Sequence, residues 1–399
     1  MMESIRRKGL SSIRLYSLLV VVATTLSPQA TAAGPSLTDH SSCGCFLSND
    51  TEASYFSGHS FFDFRNLGEY ARVPPVIDDA DEAAGAEVTS EYFKTTEWTN
   101  MWWISSWNNG QGKRKDATVY MVNSPNNIYI EDAKGSNLGS PSTWLTLRTQ
   151  RNDDFQSAAE LETVDPGFQY LSVRMLARTI GAPGAITALF TYRGSEDWYG
   201  VQESDIEVRT SDPRHKIQYT NQPSYTEDGE EEIPEATRNA TLPGRATWSD
   251  WAVHRLDWTP GQTRWFVNGL EAASIAFQTP RDPCKLLLNV WSDGGSWAGN
   301  MSVGAAAYMQ IQWLEVLYNR TSAEEVSGAP EKRGLLFGRQ QDQGAAPRCN
   351  RVCSVDETPN QGQPVMLWDN GAVPSRLAAA GLVGLVPAVV MFVLAVGML

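Results

Sequence analysis

The chain has 399 residues, of which 42% are hydrophobic and 20% charged, and its formal net charge is −14 at pH 7. This length suffices for one large domain with additional segments. The acidic balance disfavours nucleic acid and anionic lipid as partners, and it suits a neutral polysaccharide or a partly cationic one such as deacetylated chitin. The four histidines lack metal-ligand spacing and the sequence has no glycine-rich phosphate loop, so metal and nucleotide chemistry lack support.

The first 32 residues predict a secretory signal peptide. Basic residues precede an apolar stretch at 15–26, and Ala30-Thr31-Ala32 supplies the small residues for cleavage after Ala32. Residues 33–89, which include Cys43 and Cys45, are expected to form an extension that packs on the main domain. Export would place the cysteines in an oxidising compartment.

Short apolar or alternating runs bounded by Gly and Pro begin near residue 168, as is typical of antiparallel strands. The predicted strands are 168–175, 184–192, 216–221, 251–258, 263–271, 285–291 and 307–317. Asn268-Gly269 predicts a tight hairpin turn inside the fifth run. The central chain keeps no convincing 3.6-residue apolar period, so we predict an all-β sandwich or jelly roll.

Three carboxylates stand at alternate positions of one predicted strand: Glu203, Asp205 and Glu207. Side chains two residues apart share a sheet face, so all three would project together. Like charges on one face indicate shared protons and perturbed pKa values. The pattern fits glycoside hydrolysis, in which one carboxylate attacks the anomeric carbon and a protonated one donates to the leaving oxygen. The alternative is a solvated edge strand with alternating charge.

Tryptophan is abundant, with 14 in the chain, and aromatic planes are the usual surfaces for sugar rings. A cluster at residues 98–107 is too dense to be packed entirely inside. Trp251, Trp258 and Trp265 are predicted to lie in the core. Trp291 and Trp297 are predicted to contact substrate. For some aromatic residues both interpretations stay open, and these are Trp102, Trp103, Trp107 and Tyr219.

Over residues 90–320 these motifs resemble the family 16 glycoside hydrolases, which are concanavalin A-like jelly rolls of two curved antiparallel sheets. The matching segments are 168–175, 184–190, 203–207, 254–260, Arg-Trp-Phe-Val-Asn-Gly at 264–269, Asn-Val-Trp at 289–291, and Gly-Gly-Ser-Trp-Ala-Gly at 294–299. The resemblance implies that Glu203 is the nucleophile, Glu207 the general acid/base, and Asp205 the residue that tunes their protonation. It also places Arg174 and Asn289 among the substrate-binding residues.

The implied activity is a retaining endo-β-glycosidase acting by double displacement on cell-wall β-glucan, β-1,3 or mixed β-1,3/1,4. In a flat strand the Cα atoms of Glu203 and Glu207 lie about 13 Å apart. Retention needs carboxyls about 5–5.5 Å apart, so we expect a twisted, curved sheet. Ser204 and Ile206 should face the other way, with Ile206 between the sheets.

Alternatives remain at this point. A cell-wall transglycosylase that links glucan or chitin chains would use the same carboxylates. A non-catalytic carbohydrate-binding module could share the fold, since fold does not fix function. A structural wall protein would bind no sugar saturably. We expect a monomer with no cofactor, although the acidic run at 227–232 leaves open a structural calcium ion.

The C-terminal part predicts a tether. Residues 321–370 are rich in Gly, Pro, Gln and charge, which is typical of a stalk. Residues 371–399 end in an apolar stretch with no basic residue after it, which favours a GPI-attachment signal, with Asn370 as the attachment site. A retained transmembrane helix is the alternative. The expected location is the extracellular face of the plasma membrane or the cell wall.

Four sequons, at Asn49, Asn239, Asn300 and Asn319, agree with passage through the secretory pathway. Five cysteines leave at least one unpaired or cross-linked to another chain. A Cys349–Cys353 bridge and a tie between the Cys43/Cys45 pair and Cys284 are plausible, but the sequence does not determine the pairing.

Overall fold

A computed structural model describes residues 36–49, 53–110, 116–133, 141–229, 231–321 and 349–369. In chain order the strands are β1 Ser36–Leu37, β2 Cys45–Ser48, β3 Ser54–Phe56, β4 Gly58–Asp63, β5 Trp102–Ile104, β6 Tyr120–Asn123, β7 Ile128–Asp132, β8 Thr143–Arg151, β9 Phe155–Thr163, β10 Phe168–Gly181, β11 Ile186–Arg193, β12 Gln202–Arg209, β13 Lys216–Gln222, β14 Thr237–Thr241, β15 Ala252–Thr259, β16 Gln262–Val267, β17 Leu270–Ile275, β18 Lys285–Trp291, β19 Ala306–Arg320, β20 Arg351–Ser354 and β21 Val365–Asp369.

Helical structure is limited to short turns in the described residues. The α-helices are α1 Ala80–Ala84 and α2 Thr96–Thr99, and single 3-10 turns lie at His40–Ser42, Gly68–Tyr70, Glu91–Lys94, Pro125–Asn127, Trp198–Gly200 and Pro243–Arg245. No helix within the described ranges has the length and apolar character needed to cross a bilayer. The prediction of an all-β jelly roll is confirmed.

One large sheet folds back on itself to make two layers. The front layer has the order β14-β13-β12-β11-β18-β9, and β5 pairs with the far side of β9. The back layer runs β8-β19-β10-β15-β16-β17, with β4 on β19 and β7 on β8. The predicted two curved sheets are thus joined where β8 pairs with β9.

The core lies between the layers. Along β12, Ile206 and Val208 face it, and both are buried against residues of the back layer such as Leu256 and Val316. Trp258 and Trp265 are fully buried there, as predicted. Burial of such side chains, at about 25 cal/mol per Å² of apolar surface, is the main term that holds the layers together.

Two further predictions for aromatic residues are resolved by this packing. Trp102 lies in the core at 2% exposure. Trp251 does not belong to it, contrary to prediction. Its ring lies partly exposed beside Trp144, and the Arg178 guanidinium sits 4.6 Å from the ring centroid. In β15 the even-numbered residues from Ala252 to Trp258 face the core. Trp251 precedes this strand and is not one of them.

Most predicted strands are observed, with longer ends. The 285–291 prediction coincides with β18, whereas β10 and β19 extend well beyond the predicted 168–175 and 307–317. The Asn268-Gly269 turn joins β16 to β17 with φ values of 51° and 78°, the left-handed conformation that such a turn requires. Strands β4–β9 were not predicted, because several are short or buried on both faces and lack a clean alternation.

A second, smaller sheet brings together the two ends of the described chain. Its order is β1-β21-β20-β2-β3, and disulfides join Cys43 to Cys353 and Cys45 to Cys349. The suggested Cys349–Cys353 bridge and the tie to Cys284 are therefore wrong; Cys284 is a buried thiol. Because β2 pairs with β20, Cys43 lies close to Cys353 and Cys45 close to Cys349, with Cα–Cα distances of 5.8 and 5.4 Å. The disulfides therefore form between these two parts of the chain.

The structure also differs from the predicted stalk. Residues 349–369 form β20 and β21, which pair with N-terminal strands and pack on the outer side of the back layer through Phe46, Leu317 and Val355. Their apolar positions are too few for a periodic pattern, so only the partner strands reveal them. The predicted signal peptide at 1–32, the attachment residue Asn370 and the tail at 371–399 lie outside the described residues.

Candidate active site

Strand β12 carries the carboxylate row on the outer side of the front layer, here called the front face. Glu203, Asp205 and Glu207 alternate with Ser204 and Ile206, which are buried on the core side, as predicted. Ser204 donates a 2.6 Å hydrogen bond to Asn221 and also contacts Thr263. These bonds fix the strand from behind, so its front side chains hold their positions.

Side chains that share a register on neighbouring strands form rows across the front face, one at Glu207 and one at Asp205. Glu207 is level with Ala188 on β11, Asn289 on β18 and Glu160 on β9. One step along, Asp205 is level with Phe190, Leu287 and Glu162. Trp103 on β5 continues this second row beyond Glu162. A ligand that spans these rows therefore lies across the strands.

Glu203 and Asp205 both have raised pKa values. Asp205 is 1% exposed, and burial, together with the charges of Glu203 and Glu207, raises its pKa well above the usual value. Burial also raises the pKa of Glu203 to about 8, with a further contribution from Glu207. The hydrogen bond between the two carboxyls raises the pKa of Asp205 and lowers that of Glu203. The proton therefore stays on Asp205, and Glu203 is the member that ionises.

Glu160 is a front-face residue that the sequence analysis missed. It is 7% exposed and accepts a 2.5 Å hydrogen bond from the indole Nε1 of Trp107. Asn289 and Ser105 also hydrogen bond to it. Burial and the nearby Glu162 charge raise the pKa of Glu160, whereas the Trp107 bond opposes this rise. The available signal was Glu160-Leu-Glu162, carboxylates at alternate positions in an apolar run, the same signal as on β12.

Several predicted substrate-binding residues gather on this face. Trp103 and Trp107 are 60% and 48% exposed at the β5 side of the front layer, and Asn289 is held by Glu160. Trp291 and Trp297 are half-buried and pack beside Ala188. Arg209, the next front-face residue after Glu207, lies 4.7 Å from the Trp297 ring centroid and is ion-paired with Asp212.

Two predicted substrate-binding residues lie elsewhere. Arg174 projects from β10 to the outer side of the back layer, where its guanidinium pairs with Asp356 at 2.6 Å and with the Ser48 hydroxyl. The smaller sheet covers it there. Tyr219 is 1% exposed in the core, its ring 5.4 Å from that of Trp265. It is level with Ile206, so it shares the core side of the front layer.

The predicted glycosylation sites all fall within the described residues. Asn49, Asn239 and Asn300 are exposed, whereas the Asn319 side chain is hydrogen-bonded to the backbone of Ser57 and Tyr55. The acidic run at 227–232 is exposed where it is described. Within the described ranges no group of three or more His, Cys, Asp or Glu side chains is arranged to hold a metal ion.

A carboxylate row in which Glu203 and Asp205 have raised pKa values, beside exposed tryptophans on one face of a β-sandwich, is the arrangement expected for glycoside hydrolysis. Comparison with known proteins gives the family. Residues 98–315 match the model of glycosyl hydrolases family 16, and the chain belongs to this family.

The chain is similar to bacterial enzymes of this family. It is 25% identical to a beta-glucanase of Paenibacillus polymyxa over 179 residues, which are 44% of this chain and 70% of that protein. It is also 25% identical to a beta-glucanase of Paenibacillus macerans, over 34% of this chain and 54% of the relative. The match thus spans between about half and two thirds of these relatives.

Solved structures show the same kind of likeness. A prokaryotic beta-1,3-1,4-glucanase (lichenase) derived from a mouse hindgut metagenome is 20% identical, with a TM-score of 0.41, and the match covers 66% of this chain and 99% of that one. The catalytic domain of an endo-1,3-beta-glucanase (laminarinase) from Thermotoga petrophila is 18% identical, with a TM-score of 0.43 over 56% of this chain and 92% of that one.

Proposed function

We propose that the protein is an endo-β-glucanase that cleaves β-1,3 or mixed β-1,3/1,4 glucan with retention of anomeric configuration. The observation that carries this proposal is the unequal carboxyl pair on β12, in which Asp205 keeps the proton and Glu203 is free to ionise. The names of the relatives, beta-glucanases in each case, support the substrate class.

The residues divide the reaction between them. The Glu203 carboxylate attacks the anomeric carbon, and Glu207 gives its proton to the leaving oxygen as that bond breaks. Glu207 then takes a proton from water, whose oxygen displaces Glu203. Asp205 donates its hydrogen bond to Glu203 before attack and after release, so it acts as a positioning residue for the nucleophile. Water in the second step gives hydrolysis, whereas a sugar hydroxyl would give chain transfer.

The front face accounts for glucan binding. Trp103 and Trp107 offer apolar planes, and Asn289 and Glu160 offer polar groups, all on the β5 side of the carboxylates. Such a mixture suits a sugar chain, whose rings have apolar faces and polar edges.

We also propose that the enzyme acts outside the cytosol, tethered at the cell surface. The two disulfides support an oxidising location. The tether rests on the sequence alone, as does glycosylation at the sequons.

Product analysis tests the activity. Laminarin and mixed-linkage glucan would be incubated with the wild type, Glu203→Gln and Glu207→Gln, and the products separated by mass spectrometry. Shorter oligosaccharides are expected with the wild type, none with Glu203→Gln, and a rate lower by about 10²–10⁴-fold with Glu207→Gln. Longer products would assign chain transfer. An unchanged rate with Glu203→Gln would overturn the proposal.

Proton NMR of fresh product tests retention. The β anomer should appear first and convert slowly to the equilibrium mixture. The α anomer appearing first would mean inversion and would exclude Glu203 as a nucleophile.

A further inference from the structure

A second depression lies at the end of the front layer where β12 begins. Its volume is about 340 Å³, at the lower end of the about 300–1,000 Å³ typical of small-molecule sites. We call it the side pocket. The residues in its lining that have side chains able to contact a ligand are Tyr199, Gln202, Gln222, Gln278, Thr279 and Arg281. No residue assigned above to catalysis or to the front-face rows lines it.

The side pocket adjoins the carboxylate row through Gln222. This residue is level with Glu203 on the neighbouring strand β13, and its Nε2 lies 3.5 Å from Asp205 Oδ2. Its Oε1 accepts a hydrogen bond from the backbone of Ser224 on the pocket side. The pocket therefore borders the carboxylate row at its Glu203 end.

The direction in which a glucan chain crosses the front face indicates which part of the substrate would reach the side pocket. The exposed Trp103 and Trp107 lie several strands away from β12, so the main chain of a bound glucan crosses the strands. Substituents on a main-chain ring project to the sides of the chain, that is, along the strands. The side pocket lies on this line, beyond Glu203.

Some polar groups in the pocket lining already form hydrogen bonds within the protein, and others are available to a ligand. Gln202 is fully engaged, because its Oε1 accepts from the backbone N–H of Arg281 and of Asp282 and its Nε2 donates to the Asp282 carboxylate. Gln278 donates from Nε2 to the Pro223 carbonyl, but in the described part of the chain its Oε1 has no partner. The Arg281 guanidinium likewise has no side-chain partner among the described residues.

Backbone and exposure agree with a binding role. Gln278 has a φ of 51°, a left-handed conformation that is unfavourable for a residue with a Cβ. Tyr199, which also lines the pocket, is 53% exposed. An exposed aromatic plane beside unpaired donors and acceptors suits a ring with an apolar face and hydroxyl edges.

We propose that the side pocket binds a single neutral hexopyranosyl side chain of the glucan, so that the enzyme prefers a branched main chain to a linear one. The proposal rests on the proposed glucanase activity. A neutral ring fits better than an anionic one, because two acidic residues lie beside the pocket: Asp282 is hydrogen-bonded to Gln202 in the lining, and Glu203 is level with Gln222.

The test compares two substrates of equal main-chain length, a β-1,3-gluco-oligosaccharide and the same chain with one β-1,6-linked glucosyl side chain. The wild type is expected to have a kcat/KM about tenfold higher on the branched substrate. Tyr199→Ala and Arg281→Ala should remove this preference and leave the rate on the linear substrate unchanged. Tyr55→Ala is the matched control, since Tyr55 is 47% exposed and lies on the smaller sheet.

The outcomes separate the two proposals. If the wild type cleaves both substrates equally, the side-pocket proposal is wrong and the glucanase activity stands. If it cleaves neither, the glucanase proposal is wrong, and calorimetric titration of the Glu203→Gln variant with both oligosaccharides decides the pocket. Equal dissociation constants there would overturn it, whereas tighter binding of the branched chain, lost in the Arg281→Ala background, would support it.

Discussion

Asp205 is the most buried member of the carboxylate row, and its place between two glutamates gives the three carboxyls unequal roles. Burial and two neighbouring charges act on it together and raise its pKa well above the usual value, so it holds its proton. A charge-neutral Asp205 stabilises the folded row, because three ionised carboxylates on one face would repel one another. The same arrangement makes the free energy of unfolding depend on pH.

The pH dependence can be stated with its sign. Folding raises the pKa of Glu203 from 4.5 to about 8, so between these values the folded chain binds more protons than the unfolded chain. Stability from this group is therefore lost as the pH rises through that window. Glu203→Gln should reduce the fall in Tm between pH 5 and pH 8, by about 2–4 °C for each kcal/mol recovered. Calorimetric scans at both pH values test this, and an equal fall in both proteins would contradict it.

Trp107 and Glu160 give a second prediction for single residues. Trp107→Phe keeps an aromatic plane but leaves the buried Glu160 carboxyl without its 2.5 Å donor. Glu160 keeps its hydrogen bonds to Asn289 and Ser105, so losing this one should cost about 0.5–1.5 kcal/mol, and we expect a lower Tm with a modest rise in KM. Trp107→Ala removes the plane as well and should raise KM further at similar kcat. Steady-state kinetics on laminarin would distinguish the two, and identical KM values would exclude a sugar contact at Trp107.

The sequence predicted the position of a side chain correctly where strand alternation alone determines which way it faces. The prediction failed where a segment distant in sequence covers the side chain. Ile206 and Ser204 were correctly placed because neighbours on a strand face opposite sides. Arg174 also obeys the alternation, but the partners that cover it, Ser48 and Asp356, lie 126 and 182 residues away. Tyr219 faces the core because of its register with Ile206, which no local pattern reveals.

The smaller sheet is the element that the sequence hid most completely. Its strands contain two to five residues, and β2 and β20 pair in parallel across some 300 residues of chain. Short strands of this kind are stable only with partners, so neither half shows a pattern of its own. By contrast, the bounds of β18 could be predicted, because its apolar residues, interrupted by Asn289, end at the front-face Trp291 and Ser292-Asp293-Gly294 follows.

Removing the Cys43–Cys353 disulfide tests what this sheet contributes. The double substitution Cys43→Ser with Cys353→Ser should lower the free energy of unfolding by about 2 kcal/mol, since Cys45–Cys349 keeps the long loop closed and only the short ring between the two bonds is opened. Activity per folded molecule should be kept, because the sheet packs on the back layer. Cys284→Ser, at a buried free thiol, is the control and should have a smaller effect on unfolding. A loss of kcat at low temperature, where the variant is folded, would show that the sheet also shapes the front face.

On the scale of the whole molecule, packing between the two layers supports the carboxylate strand from the core side. Trp265 is fully buried, packs against Tyr219 behind the carboxylate strand, and faces it from the back layer. Trp265→Ala should cost about 3–5 kcal/mol through lost contacts and the cavity left behind. Urea unfolding followed by circular dichroism measures this change. A cost below about 1 kcal/mol would mean that the layers repack freely, as well-packed interiors do not.

The overall architecture was predictable because two-residue alternation repeats in many strands, and each repeat argues for the same class. The connection between layers at β8–β9 was not, because Thr143–Arg151 and Phe155–Thr163 are buried along most of their length, polar residues such as Arg148 and Glu160 included. Burial on both faces removes the signal that exposes a strand to sequence analysis.

The pairing of Ser36 with Met366 makes the described chain nearly a closed ring. Residues that are neighbours in one sheet can be joined by a short peptide without moving either strand, and new ends can then be opened at an exposed turn such as Asn268-Gly269. A circularly permuted enzyme built in this way would carry both new ends at the β16–β17 edge. Its carboxylate row would keep every strand neighbour it has now.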